Sequence, residues 1–168
     1  MRILGAVLAG GASARFGSDK AMAEFAGKPL IEHVIAALAP QVETLVVVGR
    51  DWPGHARVDD LPAPGLGPIG GLAGALGHAL LNGYDAVLVA PCDTLGLAAD
   101  LVARLSPGPA VAMGQRSVGL WPSSLAPALI ARLSSGDSRA LHIWVDAAEA
   151  REVDCGALHN INHPDDIG

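Results

Sequence analysis

Three shortages in this sequence each exclude a class of protein: cationic side chains, cysteines and long apolar runs are all scarce. Lys and Arg together number 11 against 17 acidic residues, for a formal net charge of −6. Because no basic stripe is present, the chain does not fit a nucleic-acid scaffold, and an anionic ligand must be met by local cations and metal. No apolar run approaches the about 18 residues that a membrane span needs.

The two cysteines exclude a disulfide framework and a zinc site. Cys92 and Cys155 lie far apart, with no C-x-x-C pair and no zinc-ligand spacing. The chain also begins directly with a strand pattern and shows no secretory signal with a cleavage site. We therefore expect two reduced thiols in a cytoplasmic protein.

Two familiar phosphate-binding motifs are missing as well, and a different glycine-rich loop is present. No G-x-x-x-x-G-K-[ST] or G-x-G-x-x-G pattern occurs. Instead, the apolar run Ile3–Ala9 breaks into residues 10–20, which contain Ser13, Arg15 and Lys20. Glycines let backbone N–H groups approach oxyanions, and the two cations neutralise them. The loop predicts a nucleotide site, and the alternative is a mobile surface loop.

Strand and helix patterns alternate along the chain, which predicts parallel βαβ units. With 168 residues, 51% of them hydrophobic, we expect one domain over residues 1–168 and an α/β fold with a covered, mostly parallel, doubly wound sheet in three layers. A small antiparallel part is expected in the C-terminal half. The predicted strands are residues 3–9, 44–48 and 85–90, with a hairpin of 110–113 and 118–121; the predicted helices are 29–38, 72–81, 97–105, 125–133 and 140–148.

Asp93 follows a hydrophobic strand at the edge where ligands bind in open α/β sheets. Mg²⁺ takes one or two protein carboxylates and completes its shell with phosphate and water, so Asp93 is the candidate metal ligand. The alternative is that Asp93 caps the helix predicted to begin at Leu97.

Other polar residues at the same edge have two interpretations each. Asp59 and Asp60 form either a solvated turn or a ribose or metal contact, and Lys28 is either a surface residue or a phosphate contact. No covalent nucleophile is indicated, since Ser13 has no recognisable His and Asp partners and Cys92 has no cationic neighbour. The expected chemistry is therefore positioning and charge neutralisation around phosphate.

Five motifs together resemble the molybdenum cofactor guanylyltransferases, a family of nucleotidyltransferases with a Rossmann-like fold. Residues 8–20 are similar to the L-A-G-G-x-S-x-R-x-G…D-K signature, and residues 27–30 read G-K-P-L. The turn at residues 67–71 resembles G-P-L-A-G, residues 91–94 read P-C-D-T, and residues 160–166 resemble N-x-N-T-P-E-D. The motifs span nearly the whole chain in the family's order.

The resemblance implies that the terminal phosphate of Mo-molybdopterin attacks the α-phosphorus of GTP, with Mg²⁺ as cofactor. It implies that Arg15 and Lys20 bind the triphosphate and that Asp93 binds the metal ion. The residues implied in nucleotide or pterin binding are Leu8, Ala9, Gly10, Gly11, Ser13, Lys20, Asp60, Gly67, Gly71, Asn160 and Asn162. Of the last two, Asn160 or Asn162 would complete either the metal side or the pterin side. The resemblance also implies transient contact with molybdoenzymes or molybdopterin-delivery proteins. It implies no binding to nucleic acid or to a membrane.

The sequence departs from the family pattern at three places. Gly49 stands where many members have Asn near the base. Residues 119–122 are similar to the G-L-W-P of some members, but residues 115–117 stand where His-Pro usually precedes that motif. The chain also ends soon after Pro164, where the signals of a helix begin. Gly11 favours the guanylyl branch. The alternatives are a CTP-dependent enzyme of the same kind, transfer to another phosphorylated acceptor, or a protein that binds nucleotide without turnover.

Overall fold

The fold is that of a computed structural model, which describes residues 1–10 and 20–161, with only the backbone described at residue 20. Eleven strands are present in this part of the chain: β1 Ile3–Leu8, β2 Glu24–Phe25, β3 Lys28–Pro29, β4 Thr44–Val48, β5 Ala56–Val58, β6 Ala86–Pro91, β7 Thr94–Leu95, β8 Ala110–Ala112, β9 Gln115–Pro122, β10 Arg151–Val153 and β11 His159–Asn160. The α-helices are α1 Leu30–Leu38, α2 Pro68–Leu81, α3 Leu101–Leu105, α4 Ala126–Ser134 and α5 Leu141–Ala147.

The central sheet has seven strands in the order β10-β8-β9-β6-β1-β4-β5. β1 pairs in parallel with both β4 and β6, and β4 pairs in parallel with β5. β9 is antiparallel to β6 and β8, while β10 is parallel to β8. The prediction of a mostly parallel sheet with a small antiparallel part in the C-terminal half is confirmed.

Helices cover both faces of the sheet, so the central strands are buried on both sides. One core cluster joins Ile3 and Val7 of β1 to α1 and α3. The other joins Leu4 and Ala6, which alternate with them along β1, to α2, α4 and α5. The two clusters and the sheet between them form the predicted three layers.

Several boundaries differ from the predicted ones. α2 begins at Pro68 rather than Leu72, because its early glycines pack against the chain after β5. α3 begins at Leu101 rather than Leu97, with Asp100 as N-cap residue. Two strands of the central sheet, β5 and β10, were not predicted; each has three residues and lies at an edge of the sheet. The two-residue strands β2, β3, β7 and β11, which form two small antiparallel pairs, were not predicted either.

None of the helices in residues 1–10 and 20–161 has both the length and the apolar character needed to cross a bilayer.

Candidate functional site

The parallel strands β1, β4, β5 and β6 end at the same edge of the sheet. Hydrogen bonds continue the ladder past the strand ends: Ala9 N–H donates to Val48 O at 2.9 Å, and Gly49 N–H to Val58 O at 2.8 Å. Cys92 N–H donates to Leu8 O at 2.9 Å. The segments that follow these strands therefore meet at the edge where open α/β sheets bind ligands.

Gly10 and Gly49 lie back to back at this edge. A Cβ added to Gly49 would be 2.5 Å from the Cα of Gly10, and Gly49 has a φ of +91°. A side chain at Gly49 therefore requires the backbone of Gly10 to move, and its φ lies in the region that favours glycine. The close approach of the two backbones therefore favours glycine at position 49, where many family members have Asn.

A cavity of about 370 Å³ opens beside the two glycines. Its lining residues are Gly10, Gly49, Arg57, Asp59, Asp60, Pro64 and Gly65. The volume lies within the range of small-molecule sites. Sequence reasoning did not single out Arg57, Pro64 or Gly65: the Pro-Gly pair belongs to a stretch that was predicted only as a loop, and Arg57 lies in the unpredicted strand β5.

The first turns of α2 lie directly against the end of β1 and against Asp60. A Cβ added to Gly70 would be 3.2 Å from Asp60 Oδ2, and one added to Gly71 would be 2.9 Å from Leu8 Cδ2. The helix begins after Gly67, which has a φ of +76° that suits glycine. Because a glycine has no side chain beyond hydrogen, the N-terminus of α2 can reach the site edge, where the positive end of its dipole favours anions.

Asp60 is a partly buried carboxylate next to another acid. Burial raises the pKa of its carboxyl above the ordinary value, and the negative charge of Asp59 raises that pKa further. The folded protein therefore holds this proton more tightly than the unfolded chain does. Its contribution makes the free energy of unfolding fall as the pH rises from the ordinary carboxyl pKa through the raised pKa.

We expect Asp60→Asn to increase the free energy of unfolding at pH 7, because the variant removes the cost of ionising this carboxyl. The gain over the parent should shrink as the pH falls from the raised pKa towards the ordinary carboxyl pKa, because the folded parent then takes up the proton first. Urea unfolding of the ligand-free proteins between pH 4 and 7 measures the difference. A variant less stable than the parent at pH 7 contradicts the assignment.

Asp93 follows β6 and has only 6% of its surface exposed. Its backbone carbonyl accepts a hydrogen bond from Ile161 N–H at 3.0 Å, which fixes the backbone of this turn. The capping alternative for Asp93 is wrong, because α3 begins eight residues later at Leu101 with Asp100 as its N-cap. Asp93 is thus a buried carboxylate held at the end of a rigid strand.

Asn160 is tied to the same turn through its amide oxygen. β11 pairs antiparallel with β7, and Thr94 Oγ1 donates to Asn160 Oδ1 at 2.7 Å. This hydrogen bond fixes the orientation of the amide and uses one of the two lone pairs of Oδ1. A role of Asn160 on the metal side or on the pterin side therefore stays a prediction.

The residues near Asp93 fit a magnesium ion that also binds phosphate. Within the described part of the chain, no three His, Cys, Asp or Glu side chains gather closely enough to hold a metal by themselves. Mg²⁺ needs only one or two protein carboxylates when phosphate oxygens and waters complete its shell. Asp93 is one such carboxylate, and it follows β6 at the same edge of the sheet as the cavity.

Several predicted site residues lie outside the described part of the chain: Gly11, Ser13, Arg15, Asn162 and the side chain of Lys20. Lys20 itself begins a short 3₁₀ turn that ends at Met22. The described site residues Leu8, Ala9, Gly10, Asp60, Gly67, Gly71, Asp93 and Asn160 all belong to segments at the carboxyl edge of the sheet.

The segment that replaces the family's His-Pro also begins at this edge. β9 runs antiparallel to β6 with Val89 opposite Gly119, so its first residues lie on the side where β6 ends. Gln115 Nε2 donates to Ser117 Oγ at 2.7 Å, and Arg116 forms ion pairs with Glu152 at 2.8 Å and Asp146 at 3.8 Å.

Comparison with known proteins matches this chain to one family. A family model described as the MobA-like NTP transferase domain covers residues 5–150. A molybdenum cofactor guanylyltransferase of Cereibacter sphaeroides is 36% identical, over 99% of this chain and 94% of its own length. The protein of the same name from Rhodobacter capsulatus is 34% identical, again over 99% of this chain and 94% of its own length.

Solved structures show the same fold. A crystal structure of molybdopterin-guanine dinucleotide biosynthesis protein A from Archaeoglobus fulgidus superposes with a TM-score of 0.74 and 20% identity, covering 98% of this chain and 94% of its own. A nucleotidyl transferase from Methanothermobacter thermautotroptrophicus gives a TM-score of 0.71 at 20% identity, with the same coverage. At these identities the superpositions speak for the fold alone.

Proposed function

The chain belongs to the MobA-like NTP transferase family, and from this premise we propose that it transfers GMP from GTP to the terminal phosphate of molybdopterin. In the reaction, a phosphate oxygen of the acceptor forms a bond to the α-phosphorus of GTP. The bond from that phosphorus to the bridging oxygen of the β-phosphate breaks, and pyrophosphate leaves. The product is the molybdopterin guanine dinucleotide cofactor.

One observation carries the proposal: the cavity floored by Gly10 and Gly49 and the buried carboxylate of Asp93 belong to the same sheet edge. The cavity offers a place for the nucleoside, and Asp93 offers a fixed charge for a metal near the phosphates. The names of the relatives in Cereibacter and Rhodobacter supply the nucleotide and the product class.

In this proposal the described residues bind and orient the nucleotide. The backbone groups of Leu8, Ala9 and Gly10 contact guanine and ribose, Asp60 lies beside the nucleotide, and the N–H groups at the start of α2, near Gly67 and Gly71, face its anionic part. Asp93 holds Mg²⁺. When bound, this ion supplies charge neutralisation on the phosphate oxygens as the leaving group departs.

The remaining roles follow from the family motif. Arg15 and Lys20 hold the triphosphate and stabilise the charge that develops on the leaving pyrophosphate, and Gly11 and Ser13 contribute to the phosphate-binding loop. Asn160 or Asn162 has a role on the metal or pterin side. Because the reaction joins two phosphates, these residues need to position and neutralise rather than form a covalent intermediate.

The proposal extends to partners and location. Mo-molybdopterin is the second substrate. Delivery proteins hand molybdopterin to this protein by transient contact, and the product passes to molybdoenzymes in the same way. The setting is the cytoplasm, where cysteines such as Cys92 and Cys155 stay reduced.

The test is pyrophosphate release by the purified protein with Mo-molybdopterin, compared for GTP, CTP, ATP and UTP with and without Mg²⁺. We expect release with GTP that depends on both Mg²⁺ and the acceptor. Omission of molybdopterin is the control for plain hydrolysis. A preference for CTP would assign the chain to cytidylyl transfer, and binding without release would contradict the proposed reaction.

A further inference from the structure

The nucleotide cavity has a floor without side chains. Gly10 and Gly49 stand so close that a Cβ on Gly49 would be 2.5 Å from Gly10 Cα. The floor therefore offers only backbone groups to a base. Among the described residues, the polar side chains that line the cavity are those of Arg57, Asp59 and Asp60, which form its wall.

Arg57 and Asp59 form an ordered pair on that wall. Arg57 Nε donates to Asp59 Oδ1 at 2.8 Å, and Arg57 Nη1 lies 3.7 Å from Asp51 Oδ2. Within residues 1–10 and 20–161, neither Asp59 Oδ2 nor Arg57 Nη2 has a hydrogen-bond partner. The side chains of Arg57 and Asp59 are 44% and 75% exposed, so both are accessible to a ligand.

This pair matches guanine better than the other three bases. Guanine has two adjacent donors, N1–H and the N2 amino group, with the acceptor O6 beside them. A carboxylate accepts both donors at once, and a neighbouring guanidinium donates to O6. Adenine, cytosine and uracil have no such pair of adjacent donors, so each would leave part of the wall unpaired.

On the basis of the proposed function, we propose that Arg57 and Asp59 are its specificity-determining residues for the base. Asp59 accepts hydrogen bonds from N1–H and the N2 amino group of guanine, and Arg57 donates to O6. The ion pair with Arg57 Nε holds the Asp59 carboxylate in place before the nucleotide arrives, so less ordering is needed on binding.

The first test uses the native protein and ITP, whose base is guanine without the N2 amino group. We expect Mg-GTP to bind about tenfold more tightly than Mg-ITP in calorimetric titrations, since one charge-assisted hydrogen bond is lost with ITP. Equal affinities for the two nucleotides would overturn the proposal.

The second test uses Asp59→Asn with Asp100→Asn as its matched control. Asp100 also accepts a hydrogen bond from an arginine Nε, that of Arg104 at 2.7 Å, but it lies at the start of α3 away from the cavity. We expect Asp59→Asn to bind GTP and ITP with nearly equal affinity and Asp100→Asn to keep the native ratio. An unchanged ratio in Asp59→Asn would overturn the proposal.

The outcomes separate this inference from the proposed function. Suppose that GTP supports pyrophosphate release while Asp59→Asn keeps the native ratio of GTP to ITP affinity. Guanylyl transfer is then supported, and recognition of the base by Arg57 and Asp59 is contradicted. If none of the four nucleotides binds or supports release, both fall. If CTP binds more tightly than GTP, recognition of guanine falls although nucleotidyl transfer stands.

Discussion

Replacing Asp93 by asparagine should lower the rate of pyrophosphate release by about a hundred- to a thousandfold. The side chain is buried at the end of β6, so it is held in one place and has little solvent to replace its charge. An amide of the same size keeps the shape but removes the negative charge that a magnesium ion needs. Initial rates at saturating Mg-GTP and molybdopterin measure the loss, and thermal unfolding followed by circular dichroism verifies the fold.

Asp85→Asn is the matched control at the other end of the same strand. Asp85 precedes β6 and accepts a hydrogen bond from Arg2 N–H at 2.7 Å, which an asparagine oxygen also accepts. We expect this variant to keep the parent rate. An Asp93→Asn variant with more than a tenth of the parent rate contradicts the metal assignment. A higher Mg²⁺ requirement in the variant would further distinguish a lost ligand from a general disturbance of the site.

The central elements were predictable because their side chains carry the signal. The strands over residues 3–8 and 44–48 are continuous apolar runs of the length that a doubly covered sheet requires, and α1 repeats apolar residues at helical spacing. The hairpin of β8 and β9 was predicted from two short apolar runs, at residues 110–113 and 118–121. Packing against a core selects these patterns, so they can be read without the structure.

The edges were not predictable, because their residues have no such pattern. β5 has exposed Ala56 and Arg57 followed by buried Val58, and three residues do not define an alternation. The early part of α2 was missed because Gly70 and Gly71 have low intrinsic helix propensity. Contact with Asp60 and Leu8 favours the helix there, and that contact is visible only in the fold.

The candidate site shows the same division. Asp93 was predicted because it follows a hydrophobic strand, and Asp60 because it precedes the turn at residues 67–71 and matches the family motif. The structure brings both to the predicted edge. Arg57 was not singled out, because a charged residue on a short edge strand resembles any solvated residue. Its place on the cavity wall depends on the pairing of β5 with β4, which sequence spacing alone does not determine.

Gly74→Ala should be the most destabilising small substitution in α2. A Cβ at Gly74 would overlap the backbone carbonyl oxygen of Asp59 and would lie 3.4 Å from Asp60 Cα. Because the obstruction is backbone rather than a flexible side chain, the helix and the segment after β5 must separate. Overpacking of this kind lowers the free energy of unfolding by about 1–3 kcal/mol. The higher helix propensity of alanine offsets at most about 1 kcal/mol of that loss.

Gly77→Ala, one turn further along the same helix, is the control that isolates this contact. The nearest atom to its added Cβ is the Leu61 Cδ1 methyl group at 3.0 Å, the end of a side chain that can rotate away. We expect Gly74→Ala to lower the midpoint of thermal unfolding by several degrees and Gly77→Ala to leave it nearly unchanged. Gly74→Ala should also weaken GTP binding, because it displaces Asp59 and Asp60 from the cavity wall. Equal midpoints for the two variants would show that α2 does not need this close approach, and the position of the wall would then have to depend on other contacts.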